Sequence, residues 1–492
     1  MIREHLPVLQ VALPLVAAPL CLLLTRAMWA WLLALTVSLA ALGISIVLLR
    51  GVYTGEVISY AIGGWAAPWG IEYRVDAVNA FILIIVTAIS TVTLMFAKTS
   101  VAQEVAGDKQ GLFYTAWLLC LTGLLGIAIT GDVFNLFVFL EISSLSSYVL
   151  IGLGQDRRAL TASFQYLVMG TIGATFILIG IGLLYMVTGT LNMMDLAARL
   201  AVLGDSRTVQ TALAFLTVGI GLKLALFPLH LWLPNAYTYA PSAVTVFLAA
   251  TATKAAVYML LRFLFQVFDA SFTFGAMPLG GFLAVLAAAG ILSTSTVSIF
   301  QDNIKRMLAY SSVAQVGYMV LGISLVSSAG LTAAVLHLFN HALMKGALFL
   351  ALGCVAYRLG SVRLGAIAGL GQRMPWTMAA FLVGALSLIG IPLTAGFVSK
   401  WYLILAAVER GWWPLVVVVI AGSLLAIIYV WRVVEMAYLR PPPEKLSVTE
   451  APLSLLVPTW LLAGANVYFG IDTQFSVGMA RQAAALLTGS NG

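Results

Sequence analysis

Charged side chains are scarce in this sequence. Asp, Glu, Lys and Arg make up 9% of its 492 residues, whereas hydrophobic residues make up 62%. Soluble domains carry about 25% charged and about 45–50% apolar residues, so this chain lacks the charge to cover a surface in contact with water. We therefore expect it to lie in a lipid bilayer and to cross it many times.

Motifs for cofactors, metals and nucleic acids are also lacking. The three cysteines, Cys21, Cys120 and Cys354, lie in apolar runs without metal-ligand spacing, which is typical of small buried hydrophobic residues. The sequence has no nucleotide, haem, flavin or iron–sulfur motif, and no basic cluster interleaved with aromatic residues that would indicate nucleic-acid binding. We predict no cofactor, no metal site and no nucleic-acid partner. The energy for any activity would come from an ion gradient or from partner subunits.

Long apolar runs are what the sequence has instead. Each is long enough for one membrane-spanning α-helix, so the predicted fold is an all-α polytopic membrane protein of about fourteen transmembrane helices. A cleaved signal peptide is an alternative for the first run, but the next apolar run follows at once and favours a membrane helix. Helices 1 to 14 are predicted at residues 7–25, 28–49, 77–97, 111–130, 133–154, 160–188, 208–234, 241–268, 277–300, 307–326, 328–358, 375–407, 411–439 and 451–470.

Prolines interrupt two predicted helices, with Pro228 in helix 7 and Pro392 in helix 12. A proline within a helix removes a backbone hydrogen bond, and a membrane tolerates the freed carbonyl only where it faces protein or a wet cavity. The breaks lie five helices apart, so helices 4–8 and 9–13 would form two corresponding units. Because five is an odd number, the second unit would be inverted relative to the first, as in many transporters.

The chain is predicted to form a single membrane domain over residues 1–492, since no polar or low-complexity run separates a soluble domain. The longest stretch without a helix, at about residues 50–76, is rich in Gly and predicts an external hairpin. The parts are residues 1–110 with helices 1–3 and this hairpin, 111–268 with the first five-helix repeat, 277–440 with the inverted second repeat, and 441–492 with helix 14 and a tail.

Basic residues are distributed unevenly between the two ends of the predicted helices. Loops after odd-numbered helices carry twelve Lys and Arg residues, and the opposite side carries seven. Cytoplasmic loops are enriched in Lys and Arg, so we predict that this odd-loop face is cytoplasmic and that both termini are external. Within helices, Arg262 and Arg432 are expected to anchor helix ends, Arg432 together with Glu435. The odd-loop face is defined by Arg26, Lys98, Lys109, Arg157, Arg158, Lys305, Arg306, Arg358, Arg363, Arg373, Arg440 and Lys445.

Four lysines lie inside predicted helices, at Lys223, Lys254, Lys345 and Lys400. A charged side chain at the bilayer centre costs roughly 2.5–3.5 kcal/mol, and the clear mid-helix carboxylate is Glu141. One acid cannot neutralise four amines, so we interpret the lysines as groups that gain and lose protons, with separation of Glu141 and Lys223 as the switch. The alternatives are a static Glu141–Lys223 bridge, and extension of Lys254 or Lys400 towards the membrane interface.

Helix 11 carries His337, His341 and Lys345. Their i, i+4, i+8 spacing places them on one face of the helix. We interpret this row as a proton relay; core histidines and a metal pair are the alternatives, but the metal pair lacks an evident third ligand. His230, two residues after Pro228, is either a relay or gate residue or a core histidine.

Short motifs surround these charges along the chain. They are GDVFNLFVFLE at residues 131–141, FPLHLWLP at 227–234, TK at 253–254, QDNIKRMLAYSS at 301–312, a His–Asn–His–Lys pattern at 337–345, and GIP followed by GF and Lys at 390–400. In this order they resemble the proton-pumping, antiporter-like subunits shared by Mrp-type multisubunit Na⁺/H⁺ antiporters and respiratory complex I. The first motif is most similar to the D subunit of Mrp antiporters and to its relatives in membrane-bound hydrogenases.

The resemblance covers nearly the whole chain and implies roles for the buried charges. Glu141 and Lys223 match the family's helix-5 acid and helix-7 lysine, Lys254 its central bridging lysine, and Lys400 its exit-side residue in helix 12. We expect a proton to pass from one broken helix, along Lys223, Lys254, the histidines and Lys400, to the other break. The implied partners are other membrane subunits, the lipid bilayer, H⁺ and Na⁺, in a bacterial or archaeal cell (inner) membrane.

Two other functions stay open at this point. The chain could be the pump subunit of a redox complex such as complex I or a hydrogenase, so that it belongs to an enzyme without being catalytic alone. It could also be a scaffold that transports nothing and whose polar row is only structural.

Overall fold

The structure, a computed structural model, describes residues 2–203, 206–442 and 448–489. Lys445, a member of the odd-loop face, lies outside these residues. Helices account for most of the described chain, and twelve of those described are long and apolar enough to cross a membrane. The all-α polytopic fold is therefore confirmed, whereas the count of fourteen and the inverted repeat stay predictions. The helices are α1 (Leu6–Leu23), α2 (Ala27–Val52), α3 (Ala77–Glu104), α4 (Gln110–Ile129), α5 (Val133–Gly152), α6 (Arg157–Thr188), α7 (Met193–Leu203), α8 (Arg207–Leu224), α9 (Trp232–Tyr239), α10 (Ser242–Arg262), α11 (Leu279–Ile299), α12 (Ile304–Ser324), α13 (Ser328–Leu359), α14 (Leu370–Arg373), α15 (Pro375–Ile389), α16 (Ala395–Glu409), α17 (Trp413–Val434), α18 (Leu453–Ile471) and α19 (Gln474–Thr488).

Two pairs of shorter helices lie where the sequence predicted breaks. Helix α8 ends before Ala225, which has the left-handed φ of 58°, and α9 begins only at Trp232. Helix α15 ends before Gly390, whose φ is 93°, and α16 follows at Ala395. Pro228 and Pro392 lie within these two interruptions, so the polypeptide leaves and resumes a helical path at both sites.

Helix α13 occupies the centre of the bundle. Its most apolar stretch is completely buried, because α3, α10, α12, α15, α16, α18 and α19 pack around it. Helices α1, α2, α6, α11 and α17 are less than half buried over the same length and form the periphery. The polar residues in the middle of α13, including His337, His341 and Lys345, are therefore buried inside the protein.

The predicted hairpin forms from two antiparallel strands, β1 (Ile58–Ala61) and β2 (Glu72–Val75). Its second strand adjoins the loop between α4 and α5, where Gly131 N donates to Glu72 O at 2.8 Å. A Cβ at Gly131 would lie 3.3 Å from that carbonyl oxygen. Asp132 then caps α5 by accepting a hydrogen bond from Asn135 N at 2.7 Å. The GD-x-x-N part of the first motif thus fastens the hairpin to the start of α5.

Two helices of more than ten residues, α7 and α19, were not predicted because they are too short and too amphipathic to form apolar runs, and the single turn of α14 was not predicted either. Helix α7 follows α6, and Asp195 and Arg199 pair on it at 2.9 Å. Helix α19 packs against α3 and α13 with one face buried, including Ala480 and Leu487. Periodic burial of one helix face, rather than hydrophobic length, accounts for both.

Two predictions about basic residues are wrong. Arg432 does not pair with Glu435: it donates to Ile299 O and contacts Asp302 at 3.4 Å, while Glu435 pairs with Arg440 at 2.6 Å. Lys305 and Arg306 are not loop residues, because α12 begins at Ile304, and the side chain of Lys305 is buried. Helix α12 starts three residues earlier than the apolar run indicated, since Asn303 caps it through Arg306 N at 3.2 Å.

Candidate functional site

The first predicted pair lies between α5 and α8. Lys223 Nζ lies 3.4 Å from Glu141 Oε1 and donates to Ser144 Oγ at 2.8 Å. The lysine side chain is 3% exposed, but that of Glu141 is 26% exposed. The carboxylate therefore lies at the outer wall of the chain, and the nearer acceptor of the amine is a neutral hydroxyl. This geometry allows the lysine to remain hydrogen-bonded when the carboxylate moves away.

The first break follows Lys223 by two residues. Trp232 Nε1 donates to Leu222 O at 3.0 Å, a carbonyl in the last turn of α8 that also accepts a hydrogen bond from Ala225 N at 3.2 Å. His230, which is 6% exposed, packs between Phe227 and Tyr310 with ring centroids 5.4 and 6.3 Å away. Its Nδ1 is buried without a partner among the described residues, so the imidazole keeps one nitrogen available.

Lys254 lies deep inside α10, with no exposed surface. Its amine turns back along its own helix and donates to Ala249 O, with Thr253 Oγ1 at 3.4 Å. Extension of this side chain to the membrane interface is therefore not observed. Helix α10 packs against α13, and Lys254 interacts electrostatically with His337 and His341.

The row on α13 has two ends with different partners. His337 Nδ1 and Nε2 lie 2.9 Å from Ser399 Oγ and 2.9 Å from Gln315 Oε1. His341 stacks on His337 with parallel rings 6.2 Å apart, and neither of its ring nitrogens has a partner among the described residues. At the other end, Lys345 Nζ donates to Leu308 O at 2.8 Å and to Ser311 Oγ. The row therefore touches α12 at both ends and α16 at one.

Lys400 lies on α16, and its side chain contacts the end of α15 at the second break. Its amine donates to Leu388 O and Ile389 O, each at 2.9 Å, and to Ser423 Oγ at 3.0 Å. These two carbonyls belong to the last turn of α15, which the break leaves without helical partners. Lys400 is 5% exposed and lies 4.9 Å from the centre of the Tyr318 ring. It is anchored to the break, so the interface alternative is not observed here either.

The structure adds a buried ion pair that the sequence did not reveal. Arg262 Nη2 donates to Asp76 Oδ1 and to Asn79 Oδ1, both at 2.6 Å, and Arg262 Nε donates to Tyr258 Oη at 3.2 Å. Asp76 escapes sequence reasoning because it precedes the apolar run of α3, which it caps through Val78 N and Asn79 N. Nothing in the sequence signals a partner 186 residues away. The pair joins the hairpin end of α3 to the end of α10.

Two further findings define the chemistry of the site. Over residues 2–203, 206–442 and 448–489, no group of three or more His, Cys, Asp and Glu side chains is placed to hold a metal ion. The predicted amines at positions 254, 345 and 400 hydrogen-bond to neutral oxygens, and only Lys223 has a carboxylate within 4.0 Å. A series of amines and imidazoles held by neutral acceptors is suited to gain and lose protons, because neither state is fixed by a permanent countercharge.

The chain is similar over most of its length to known membrane proteins. The chain is 43% identical, over 95% of its length and 96% of the relative's, to the N subunit of the NADH-quinone oxidoreductase of Desulforudis audaxviator. It is 31% identical, over 80% of its length and 79% of the relative's, to the D subunit of the Na⁺/H⁺ antiporter of Alkalihalophilus pseudofirmus. A chain in the solved Mrp complex from Dietzia sp. superposes with a TM-score of 0.91 at 26% identity, covering 100% of this chain and 98% of that one.

The sequence profile of the NADH:quinone oxidoreductase/Mrp antiporter transmembrane family matches residues 130–426. That segment is more than half of the chain and runs from the start of α5, through both broken helices, into α17. It contains all the predicted site residues. This chain is therefore a member of the NADH:quinone oxidoreductase/Mrp antiporter family of multi-pass membrane subunits.

Proposed function

We propose that this chain is the proton-translocating, antiporter-like subunit of a multisubunit monovalent cation (Na⁺)/proton antiporter. Protons move along Glu141, Lys223, Lys254, the histidines with Lys345, and Lys400. The observation that carries the proposal is the set of buried amines at positions 254, 345 and 400, which are hydrogen-bonded to neutral oxygens. A purely structural role would favour paired charges, because placing an unpaired charge within a membrane costs free energy.

Partner subunits are part of this proposal. The solved structure with a similar chain is named as a complex, and the side chain of Glu141 is 26% exposed in the chain taken alone. A carboxylate that faced lipid at mid-membrane would cost roughly 2.5–3.5 kcal/mol. A neighbouring membrane subunit would cover Glu141 and remove that cost.

A second function, the pump subunit of a complex I-like NADH dehydrogenase or of a membrane-bound hydrogenase, is favoured by one observation. The relative that is 43% identical is named as a subunit of an NADH-quinone oxidoreductase. Isolating the complex from its source and identifying its subunits distinguishes the two functions. Small antiporter subunits support the first proposal, whereas subunits with flavin or iron–sulfur motifs support the second.

Lys254 provides the test of proton transfer itself. Arginine keeps a positive charge but does not release its proton near neutral pH. Lys254→Ala and Lys254→Arg should both assemble and both lose ion-driven pH change in inverted membrane vesicles. Full transport by Lys254→Arg would mean that only the charge matters at this position, and the relay role of Lys254 would have to be abandoned.

A further inference from the structure

A polar cavity of about 450 Å³ opens at one end of the bundle. It lies where the ends of α3 and α13, the α5–α6 and α9–α10 loops and the start of α12 meet. Arg158 and Arg363 line it, and both belong to the odd-loop face. The cavity therefore lies at the end of the chain that the basic residues predict to be cytoplasmic.

Two charged residues of the cavity wall, Asp156 and Arg158, form an ion pair with each other. Arg158 contacts Asp156 at 2.9 Å, with both side chains well exposed, and hydrogen bonds from Arg158 lower the pKa of the Asp156 carboxyl. These two residues therefore neutralise each other at the rim. The remaining acid and amine of the wall, Glu104 and Lys305, lie deeper.

Ser242, the first residue of α10, connects Glu104 to Lys305. Glu104 Oε2 accepts a hydrogen bond from Ser242 N at 2.5 Å, and its Oε1 accepts one from Ser100 Oγ at 2.8 Å. Lys305 Nζ donates to Ser242 Oγ at 3.2 Å and to Ala240 O at 3.3 Å. The acid and the amine thus share one serine, at the start of the helix that carries the central lysine.

Lys305 is also connected to the interior of the bundle through α12. It is 6% exposed, although it lines the cavity, and it lies one turn before Leu308 on α12. The carbonyl of Leu308 accepts the hydrogen bond from Lys345 Nζ at 2.8 Å. Three residues of α-helix rise only about 4.5 Å, so the amine of Lys345 contacts the same short segment of α12 that carries Lys305.

We propose that Glu104, Ser242 and Lys305 form the port through which protons pass between this cavity and Lys345. This inference rests on the proposed function. The Lys305 ammonium releases a proton that reaches the neutral Lys345 amine through intervening water, Lys345 becomes an ammonium, and Lys305 then takes up a proton from the aqueous side through the cavity. Glu104 is a positioning residue: its carboxylate favours the charged form of Lys305 and orients it through Ser242.

The first experiment replaces the amine of Lys305 with groups that differ in their ability to release and take up a proton. In the assembled complex in inverted vesicles, Lys305→Arg should lower ion-driven proton movement by at least about tenfold, because a guanidinium keeps its proton. Lys305→Cys should be equally inactive. Treatment with 2-aminoethyl methanethiosulfonate, which attaches an amine, should restore transport several-fold, whereas the trimethylammonium analogue, which carries a fixed charge, should not. Restoration by both reagents, or full activity of Lys305→Arg, would overturn the port.

Glu104→Gln tests the positioning role. The other charged groups of the cavity are Glu104, Asp156, Arg158 and Arg363. Asp156 is already paired with Arg158, so loss of the one deep carboxylate makes the surroundings of Lys305 more positive. We expect the falling limb of the pH profile of transport to move to lower pH. An unchanged profile would contradict the role of Glu104. Arg363→Gln removes an exposed charge of the same cavity and should leave turnover within about twofold.

A measurement that does not depend on transport separates this proposal from the proposed function. Lys305→Cys should react with the impermeant trimethylammonium reagent from the cavity side of the membrane, and untreated wild type should not, because its three cysteines are buried. If Lys305→Cys reacts from neither side, the port is excluded even when the complex transports protons. If the wild-type complex moves no protons, the proposed function fails. Labelling of Lys305→Cys then still shows whether position 305 is reached from the cavity.

Discussion

At the scale of single residues, the buried lysine amines of the site donate hydrogen bonds to neutral groups. Lys223, Lys345 and Lys400 each donate to a serine hydroxyl, and the serines lie on different helices from the lysines they bind. The sequence predicts which lysines are buried, because long apolar runs enclose them. It does not predict these hydroxyl partners, because serine is common in membrane helices and nothing local indicates which one faces an amine.

The Glu141–Lys223 pair yields the first residue-scale prediction. At about 4 Å and an effective dielectric near 20, such a pair is worth about 4 kcal/mol, so its loss should change the energetics of proton loading markedly. Glu141→Gln and Lys223→Ala should each reduce cation-dependent proton transport at least about tenfold, while the complex still assembles. Transport and assembly are measured in vesicles and by co-purification. Wild-type transport by either variant would rule out the switch.

Breaking the Asp76–Arg262 pair should instead act on stability. Asn at position 76 can still accept the capping hydrogen bonds of α3 but leaves Arg262 buried without its counter-ion. Removing one partner of a buried pair costs about 3–5 kcal/mol, so Asp76→Asn should lower the free energy of unfolding by that order. A denaturant titration in mixed micelles measures it.

The Arg432–Asp302 pair provides the control for that titration, since the Asp302 side chain is 85% exposed. Asp302→Asn should cost less than about 1 kcal/mol. Equal losses for the two variants would mean that burial of the Asp76–Arg262 pair contributes nothing.

At the scale of elements, the two broken helices hold their shape through residues with positive φ. Gly390 ends α15 with a φ of 93°, and a Cβ there would lie 3.0 Å from Lys400 Cδ. Gly390→Ala would strain the backbone by roughly 1–2 kcal/mol and displace the lysine from its carbonyls. We expect transport to fall several-fold.

Gly365→Ala is the matched control, because nothing lies within 4 Å of a Cβ at that position. It should transport normally in the same vesicle assay. If Gly390→Ala were as active as Gly365→Ala, the position of Lys400 against the break would not matter for transport.

The helices and breaks differ in how well they can be predicted from the sequence. The breaks were predicted, because Pro228 and Pro392 interrupt otherwise continuous apolar runs. Helices α7 and α19 were not, because each buries only one face and their hydrophobic content resembles that of a soluble helix. The contact of Asp76 with Arg262 was also out of reach, since it depends on how α3 packs against α10 rather than on either helix alone.

At the scale of the whole molecule, the orientation in the membrane rests on the basic residues of the odd-loop face. Single cysteines at positions 158 and 363 should be protected from an impermeant thiol reagent added outside intact cells, whereas a cysteine at position 53 should react. All three native side chains are exposed, so each position should be reactive once its side of the membrane is reached. Permeabilised cells supply the control, in which all three label. The reverse pattern in intact cells would invert the topology.

The central position of α13 has a consequence for biosynthesis. A chain made from its N-terminus presents α13, with two histidines and a lysine, before α15, α16, α18 and α19 exist to enclose it. Until the last of these helices is in place, the polar row lacks part of its protein surroundings, and each charge that meets lipid costs roughly 2.5–3.5 kcal/mol. Nascent chains that stall before α16 lack Ser399, the partner of His337 Nδ1, and would thus retain an incompletely enclosed polar helix, a feature by which membrane quality control could distinguish unfinished copies from complete ones.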